Sequence, residues 1–519
     1  MYLIEVIPIS RGITKDTLSY FSSGAIPLGS LVSVPLRKRQ IHGLVISSRD
    51  AREAKSEIRA SDFVMKKVGE FKSEHFLSEA FMKAAKATAD YSASSLGSVL
   101  DALIPKVLFE EPNTKMEVME NTNDSTGFDR LIFQTNSDDR FAAYRSFIRE
   151  EFAHKRSVFF CLPTGEDAKK AGQILSKGIE QYTHVFYGAL PKRKLLTRRE
   201  AVRSESHPVL IVATGVFFST CRSDIGAIVL ESESSRTYKM QSRPFLDIRV
   251  FAEFFAKESG VRFIMGDTLL RSESVFRFKE GELAEFSPVQ FRSLSPARFQ
   301  VVDMKLGKKN SSGKFQAVGD DLRMLVEDSQ RKNQSIFIFS SRRGLASQTV
   351  CADCGSMVAC KRCNVPVVLH SSRGVGDGKN FFLCHACGEK RSAEERCATC
   401  GSWKLQALGT GIELVEQELR QQFPSLALFR LDKDKAPTSK RAEKIVESFY
   451  ASAGSVLLGT ELALSYLDRK VDNTAVASLD SLFALPDFRI HEKIFHLLLK
   501  IRNVTLSSFL VQTRIPEEH

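Results

Sequence analysis

The chain has 519 residues, too many for one hydrophobic core, and about three or four domains are expected. Hydrophobic residues make up 43% and charged residues 26%, proportions typical of a soluble globular protein. The 74 Lys and Arg residues outnumber the 62 Asp and Glu residues, and the net charge of +12 favours a polyanionic partner, most often nucleic acid. The longest apolar runs are too short to span a membrane, and the N-terminus lacks the pattern of a signal peptide. We therefore expect a cytoplasmic monomer with reduced cysteines and no membrane partner.

The first part of the chain, residues 1–108, has the pattern of a small mixed α/β domain. MYLIEVIPI alternates as a strand does, and LVSVPLRKR and IHGLVISS predict a strand pair around a basic turn. Apolar residues at helical spacing predict a helix over residues 76–93. The polar residues 109–128, rich in Asn, Asp, Ser and Thr, are typical of a linker.

From Arg130 onward, short apolar segments alternate with helical patterns, which predicts a doubly wound parallel α/β sheet. The predicted strands are SVFFCLP, HVFYG, PVLIVATG, GAIVLE and VRFIMG. A second unit of the same kind begins near Val301, with strands at SIFIFSS, SVLLGT and AVASLDS. We assign the first lobe to residues 129–285 and the second to residues 286–350 and 402–519. The intervening residues 351–401 form a cysteine-rich insertion.

Eight of the ten cysteines lie in this insertion as four C-x2-C pairs, Cys351/Cys354, Cys360/Cys363, Cys384/Cys387 and Cys397/Cys400. Two such pairs can hold one metal ion in a tetrahedron, so the segment predicts two structural zinc sites of four cysteines each. A disulfide framework is typical of secreted domains, a redox C-x-x-C motif is expected only once, and iron–sulfur clusters remain an alternative. The turn glycines Gly355 and Gly401 favour zinc.

Four other residues of metal-binding types have simpler interpretations. Cys161 and Cys221 lie in or beside apolar strands, where buried thiols are expected. His370 and His385 are not needed as ligands, because eight cysteines already complete two tetrahedra.

A site closed by four thiolates leaves no position for water or substrate, so the two predicted metal ions should stabilise the fold rather than perform chemistry.

The cysteine region and its flanks resemble a known family. FIFSSRRGLASQTVCADCGSMVACKRCNVPVVLH, FFLCHACG and CATCGSWKLQALGTGIELVEQEL are similar to the zinc region of the bacterial primosomal replication-restart (PriA) family of superfamily 2 DNA helicases. GSLVSVPLRKR and YSASSLGSVLDALIP resemble the family's N-terminal DNA-binding domain. The resemblance covers nearly the whole chain. It implies two RecA-like lobes, a zinc insertion in the second lobe, and forked or single-stranded DNA, primosome proteins and helicase-loading proteins as partners.

The resemblance also implies how the cysteines pair. It implies that the outer pairs hold one zinc ion and the inner pairs the other, as Cys351, Cys354, Cys397 and Cys400 for the first and Cys360, Cys363, Cys384 and Cys387 for the second.

The ATPase motifs of the family are missing from this sequence. The glycine-rich Walker A loop, whose Lys and Thr bind the ATP phosphates and Mg²⁺, corresponds here to QTNSDDRF. This stretch has no glycine, Arg140 replaces the Lys, and Phe141 cannot bind Mg²⁺. The degenerate positions are Gln134, Ser137, Asp139, Arg140 and Phe141.

Two further ATPase motifs are also replaced. The Asp-Glu-Glu-His box becomes Glu231-Ser232-Glu233-Ser234, and residues 500–504 replace the motif that supplies the family's catalytic arginines. We therefore expect no ATP binding, no catalytic residues and no helicase activity. The family's winged-helix domain and C-terminal domain also have no counterpart here, and the resemblance implies a reduced form.

Candidate DNA contacts lie in the N-terminal domain. Tyr20 occupies the aromatic position of a family motif that holds a DNA 3′ end, and its ring can stack on a base. Arg37 stands where the family has glycine, and Arg37, Lys38 and Arg39 can contact phosphates or form an ordinary solvated turn. In the insertion, Lys361, Arg362, Lys390 and Arg391 have the same two interpretations.

These patterns predict a zinc-dependent DNA-binding primosome protein that recognises forked or branched DNA and helps restart stalled replication, without helicase activity. The alternatives are an active ATP-dependent 3′-5′ DNA helicase of the same family, and a zinc module that binds only primosome proteins.

Overall fold

The computed structural model describes residues 1–13, 15–53, 65–111, 127–288, 295–306, 316–340, 348–370, 381–384, 387–408, 411–483, 485 and 487–516. The chain divides into two compact units, Met1–Arg292 and Ser293–His519. Across the described residues, every helix is too short or too polar to cross a bilayer. Most of the predicted linker, residues 112–126, lies outside the described residues.

The first unit begins with a five-stranded antiparallel sheet in the order β2-β1-β4-β3-β5. Its strands are β1 (Tyr2–Ile9), β2 (Leu18–Ser22), β3 (Leu31–Leu36), β4 (Arg39–Asp50) and β5 (Phe71–Ser73). β3 and β4 form the predicted pair around Arg37 and Lys38, with Leu36 opposite Arg39.

Helices α1 (Glu79–Tyr91), α2 (Leu96–Leu103) and α3 (Lys106–Glu110) follow this sheet. α1 and α2 each begin at a serine whose side chain accepts a hydrogen bond from the first turn, Ser78 from Phe81 N and Ser95 from Ser98 N. Alternate sheet residues such as Ile7 and Leu44 pack with these helices in one core, because strand side chains point to opposite faces in turn.

The rest of the first unit is a seven-stranded parallel sheet in the order β12-β6-β11-β10-β7-β9-β8. Its strands are β6 (Arg130–Gln134), β7 (Ser157–Leu162), β8 (Thr183–Phe186), β9 (Leu210–Thr214), β10 (Ile225–Glu231), β11 (Arg262–Asp267) and β12 (Ala284–Glu285). Its helices are α4 (Ser137–Ala153), α5 (Gly165–Leu175), α6 (Lys192–Ser204), α7 (Ile248–Ser259) and α8 (Ser272–Lys279). The predicted parallel α/β lobe is confirmed.

The second unit contains a six-stranded parallel sheet in the order β13-β23-β22-β14-β21-β20. Its strands are β13 (Arg298–Asp303), β14 (Ile336–Phe339), β20 (Leu428–Leu431), β21 (Val456–Gly459), β22 (Val471–Val476) and β23 (Thr505–Thr513). Its helices are α9 (Asp320–Arg331), α10 (Ile412–Gln422), α11 (Ser439–Ala451), α12 (Glu461–Tyr466), α13 (Asp480–Phe483) and α14 (Ile490–Asn503). The fully buried β14 and β21 explain the unbroken apolar runs that predicted this sheet.

The cysteine-rich insertion leaves this lobe after β14 and returns before α10. β15 (Gln348–Cys351) and β19 (Leu405–Leu408) pair antiparallel, and they join the two ends of the insertion. Between them, β16 (Val368–His370), β17 (Phe381–Leu383) and β18 (Lys390–Ser392) form a three-stranded antiparallel sheet. This stem holds the first and last cysteine pairs close together.

Candidate metal centres and nucleotide site

Each of the four C-x2-C pairs adopts the same tight turn. The first cysteine's carbonyl accepts a hydrogen bond of 2.9–3.0 Å from the residue after the second cysteine. That residue has a positive φ in every case: Gly355 (75°), Asn364 (59°), Gly388 (77°) and Gly401 (71°). Such a φ favours glycine, which has no Cβ, and is tolerated by asparagine, whose short polar side chain can hydrogen-bond locally. Sequence reasoning used Gly355 and Gly401 and missed Asn364 and Gly388, although the repeated Gly or Asn after each pair carries the signal.

The structure brings the eight cysteines together as two groups of four. The members are Cys351, Cys354, Cys397 and Cys400 in one group, and Cys360, Cys363, Cys384 and Cys387 in the other, with the sulfurs of each group within 4.8 Å of one another. This is the nested arrangement that the resemblance implied. The side chain of His370 and the whole of His385 lie outside the described part of the chain.

The sulfur spacing fits a tetrahedral metal ion. The closest pairs are Cys351–Cys400 and Cys354–Cys397 at 3.6 Å, and Cys360–Cys387 and Cys363–Cys384 at 3.5 Å. A tetrahedron with metal–sulfur distances of about 2.3 Å has edges of about 3.8 Å. Four thiolates suit Zn²⁺ and leave no position for a substrate. Each group can therefore hold one metal ion, and the identity of that ion stays a prediction.

The second group combines thiols of different acidity. A hydrogen bond from the Glu389 backbone N–H lowers the pKa of the Cys387 thiol to about 7. Burial raises the pKa of the Cys360 thiol, and the Glu389 carboxylate, 2.6 Å from its sulfur, raises it further. A metal ion must therefore displace a proton from Cys360, whereas the Cys387 thiol gives up its proton more readily.

Basic residues beside the cysteines make hydrogen bonds, an ion pair and a cation–π contact within the insertion. Arg391 donates to the Glu395 carboxylate at 2.9 Å and to the Ala359 carbonyl at 2.8 Å. Lys361 lies 3.1 Å from Glu395, and the Lys390 ammonium lies 4.1 Å from the centre of the Phe381 ring. For Arg391 in particular, these contacts support the structural interpretation rather than DNA binding.

Residues 134–141, predicted to replace the Walker A loop, run from the end of β6 into the first turn of α4, and a side chain of this stretch caps the helix. The Asn136 side chain accepts a hydrogen bond of 3.0 Å from Asp139 N and also donates to the Asp139 carboxylate. Asp138 and Asp139 occupy the first turn, while Ser137 is exposed. A helix N-terminus attracts phosphate through free N–H groups, but here two carboxylates and a capping amide take that place.

Arg140 and Glu231 form a buried ion pair behind this helix end. Both side chains are 3% exposed, and the guanidinium donates to both carboxylate oxygens at 2.5–3.0 Å. Tyr144 donates to the same carboxylate at 3.0 Å, and Arg140 also donates to the Thr135 carbonyl. Burial raises the pKa of Glu231, and the positive charge of Arg140 opposes that shift. The Arg140 guanidinium, predicted to stand at the Walker lysine position, is thus hydrogen-bonded to protein partners.

Other residues of the motifs that the sequence predicts to be replaced also make contacts within the first lobe. The fully buried Glu233 accepts hydrogen bonds from Arg271 N at 2.9 Å, Arg271 Nε at 2.6 Å and Ser274 Oγ at 2.8 Å. It thereby caps the start of α8. Gln134 is buried at the end of β6, and the Phe141 ring contacts the Tyr144 ring.

Tyr20 does not present an open face in this structure. Its side chain is 4% exposed and packs in a hydrophobic cluster of the N-terminal sheet, separate from the core that contains the helices. Its hydroxyl donates to the Pro35 carbonyl at 3.1 Å. Burial raises the pKa of this hydroxyl. The ring lies on the side of β2 that faces the core, so stacking on a base would require it to leave that core. Sequence reasoning assigned the ring to a binding face because it could not tell which side of the strand is covered.

The tip of the β3–β4 hairpin is a cationic surface. Arg37, Lys38 and Arg39 are all exposed, and Arg37 adopts a φ of 51°. Lys66, which sequence reasoning missed, donates from its ammonium group to the Arg37 carbonyl at 3.3 Å. The positive φ explains why a glycine suits this position. These side chains remain candidates for phosphate contacts.

Comparison with known proteins gives one matching family domain and several similar proteins. Residues 6–105 match the family model of the PriA 3′DNA-binding domain. Similar curated proteins are the replication restart protein PriA of Haemophilus influenzae (23% identical over 401 residues, 75% of this chain and 53% of that protein), of Bacillus subtilis (27% over 304 residues, 57% and 37%) and of Helicobacter pylori (22% over 500 residues, 93% and 75%). The chain spans about half or less of the length of the Haemophilus and Bacillus proteins.

The chain thus combines a domain that matches the PriA 3′DNA-binding domain with two parallel α/β lobes. The chain is similar to the replication restart protein PriA over much of its length, which confirms the predicted resemblance.

Proposed function

We propose that this chain is a zinc-dependent DNA-binding protein of the primosome, which recognises forked or branched DNA during replication restart without hydrolysing ATP. The main support for a protein that does not hydrolyse ATP is the buried ion pair of Arg140 and Glu231. The observations that support the DNA-binding half are the matched domain at residues 6–105, the net charge of +12 and the exposed hairpin tip.

ATP binding would oppose three features of the first lobe. Arg140 would have to leave Glu231, and breaking a buried ion pair costs about 3–5 kcal/mol. The N-terminus of α4 is already capped by Asn136, and its first turn carries two carboxylates that repel phosphate oxygens. Phe141 provides no hydroxyl for Mg²⁺. A single arginine side chain does not replace a glycine-rich loop, because the loop supplies several backbone N–H groups to the phosphates at once.

The two cysteine groups give the insertion a structural role. Zn²⁺ bound by four thiolates would supply about 10–16 kcal/mol of apparent folding energy per site. The outer group would fasten both ends of the insertion beside the β15–β19 stem, and the inner group would fasten its far end. A rigid module of this kind on the second lobe is suited to holding other primosome proteins, the partners that the family resemblance implies.

The test is a paired measurement on the purified, zinc-loaded full chain. Fluorescence anisotropy would compare a labelled fork with a blunt duplex of the same length, and a phosphate-release assay would measure ATP hydrolysis with and without the fork. We expect tighter binding to the fork, weakening as salt rises, and no DNA-stimulated hydrolysis. Hydrolysis that disappears in Arg140→Ala would establish an active ATPase instead. Equal affinity for both DNAs would refute fork recognition, and no DNA binding at all would favour a module that binds proteins only.

A further inference from the structure

An open groove with a volume of about 710 Å³ lies within the first unit, between the N-terminal domain and the first α/β lobe. One wall comes from the loop after β1, the end of α2 and the start of α3. The other wall comes from the loop after β8, the first turn of α6 and the turn after β9. The first wall falls largely within the matched 3′DNA-binding domain, and the groove contains neither Tyr20 nor the hairpin tip.

The groove combines an apolar floor with a basic rim. Its buried floor consists of Ala102, Ile104, Leu190, Leu195 and Phe217. Its rim carries three cations and one acid: Arg11, Lys106, Lys192 and Asp101. A binding site with an apolar base and a few polar groups at its edge suits a ligand that has both an apolar face and a negative charge.

The three cations of the rim differ in whether a carboxylate of the protein pairs with them. Arg11 donates to the Asp101 carboxylate at 2.9 Å, and Lys192 lies 3.0 Å from a Glu111 oxygen. The Lys106 side chain is exposed, and its ammonium group makes no hydrogen bond or ion pair within the described part of the chain. It stands at the start of α3 with its charge uncompensated. An anion in the groove can therefore pair with this ammonium group without displacing a carboxylate of the protein.

We propose that the groove binds single-stranded DNA, with its phosphates on the basic rim and its bases or sugars on the apolar floor. This inference rests on the proposed DNA-binding function and adds to it a second contact site beside the 3′DNA-binding domain. A duplex hides the faces of its bases in the stack, so it offers nothing to an apolar floor, whereas single-stranded nucleotides expose theirs. The groove would guide an unpaired strand of the fork from the N-terminal domain onto the first lobe.

Gly188 offers a way to block the groove without changing its charge. It lies in the loop after β8, a Cβ added there would meet no atom within 4 Å, and its backbone does not adopt a positive φ. Gly188→Tyr should therefore fold normally and fill the groove. Gly188→Ala is the matched control, because it makes the same backbone change with one small methyl group.

Lys106→Glu tests the rim, with Lys177→Glu as its control. Lys177 is exposed just after α5, outside the groove lining, and its reversal changes the net charge of the same unit by the same amount. Anisotropy would be measured on the full chain with a fork bearing a single-stranded arm and with the same fork fully duplex. Circular dichroism of each variant would verify folding.

We expect Lys106→Glu and Gly188→Tyr each to weaken binding to the fork with the single-stranded arm on the order of tenfold, with little change for the duplex fork. The slope of log K against log salt should become shallower by roughly 0.7 for each single-strand phosphate that a variant no longer neutralises. The two control variants should match the native chain.

Native-like affinity in both groove variants would overturn this proposal while leaving DNA binding intact, whereas no DNA binding by the native chain would overturn the proposed function itself. Equal losses of affinity for both forks would show that the groove does not read single strands.

Discussion

Arg140 and Glu231 are 91 positions apart in sequence, yet the guanidinium of one donates to both carboxylate oxygens of the other inside the first lobe. Arg140 is the fourth residue of α4, at the predicted Walker lysine position, and Glu231 ends β10 at the first position of the predicted carboxylate box. A carboxylate there would otherwise serve Mg²⁺, and a cation there would otherwise serve phosphate. In this chain each neutralises the other, so the pair links α4 to the centre of the sheet.

Arg140→Met should destabilise the first lobe by about 3–5 kcal/mol, because it leaves the Glu231 carboxylate buried without its partner. The double variant Arg140→Met/Glu231→Met should recover most of that loss, since it removes both charges together. Hydrogen exchange of the α4 backbone amides, followed by mass spectrometry, measures local stability without requiring the whole chain to unfold in one step.

Arg149→Met is the control for this comparison, because Arg149 is an exposed residue of the same helix. It should change the exchange of α4 amides only slightly. If the double variant exchanges as fast as Arg140→Met alone, the two residues do not act as a pair.

The first unit should become more stable as pH rises from about 5 to 7, partly because of His42. Burial lowers the pKa of His42, Lys72 lowers it further, and Glu110 opposes them. A histidine with a depressed folded pKa binds fewer protons in the folded state. Its stabilising contribution is therefore absent below the folded pKa, rises through the window up to the unfolded value of about 6.5, and is complete above it.

His42→Phe should remove this contribution and retain the packing, because the His42 ring stacks on Phe109 at a centroid distance of 5.4 Å. Thermal unfolding between pH 5 and 7.5 would show a smaller rise in melting temperature than in the native chain. His184 also has a pKa lowered by burial, so some pH dependence should remain. An unchanged pH profile in His42→Phe would contradict the assignment.

The sequence predicted much of this fold because its local patterns agree with the tertiary structure. Alternation in Tyr2–Ile9, the apolar runs of the parallel strands and the four C-x2-C pairs each identified the correct element. The partner of Arg140 was not predictable, because it depends on a contact between residues far apart in sequence. The burial of Tyr20 and the groove beside Gly188 depend on which face of one element another covers. Local patterns do not encode that information.

Arg37→Gly and Lys38→Gly should separate backbone strain from charge at the hairpin tip. Each variant removes one cation, and each should weaken fork binding with a similar fall in salt dependence, if both side chains contact phosphates. Only Arg37 has a positive φ, so glycine relieves a penalty of roughly 1–2 kcal/mol there. At Lys38, glycine adds chain entropy without that relief. Thermal unfolding should therefore find Arg37→Gly no less stable than the native chain and Lys38→Gly less stable, and the reverse order would contradict the turn geometry.

Cys397→Ser should release one of two bound zinc ions and leave the inner group loaded, because Cys397 belongs only to the outer group. Elemental analysis of the purified chain would fall from about two metal ions to about one. Trp403, the only tryptophan of the chain, lies just after Cys400 and is 75% exposed, so the anisotropy of its fluorescence should fall when the outer group becomes disordered. Cys384→Ser should release the inner ion instead and leave the Trp403 anisotropy close to native. Cys161→Ser, at a buried thiol of the first lobe, should retain both ions. Loss of both ions from Cys397→Ser would show that the inner group cannot hold metal once the stem of the insertion is released.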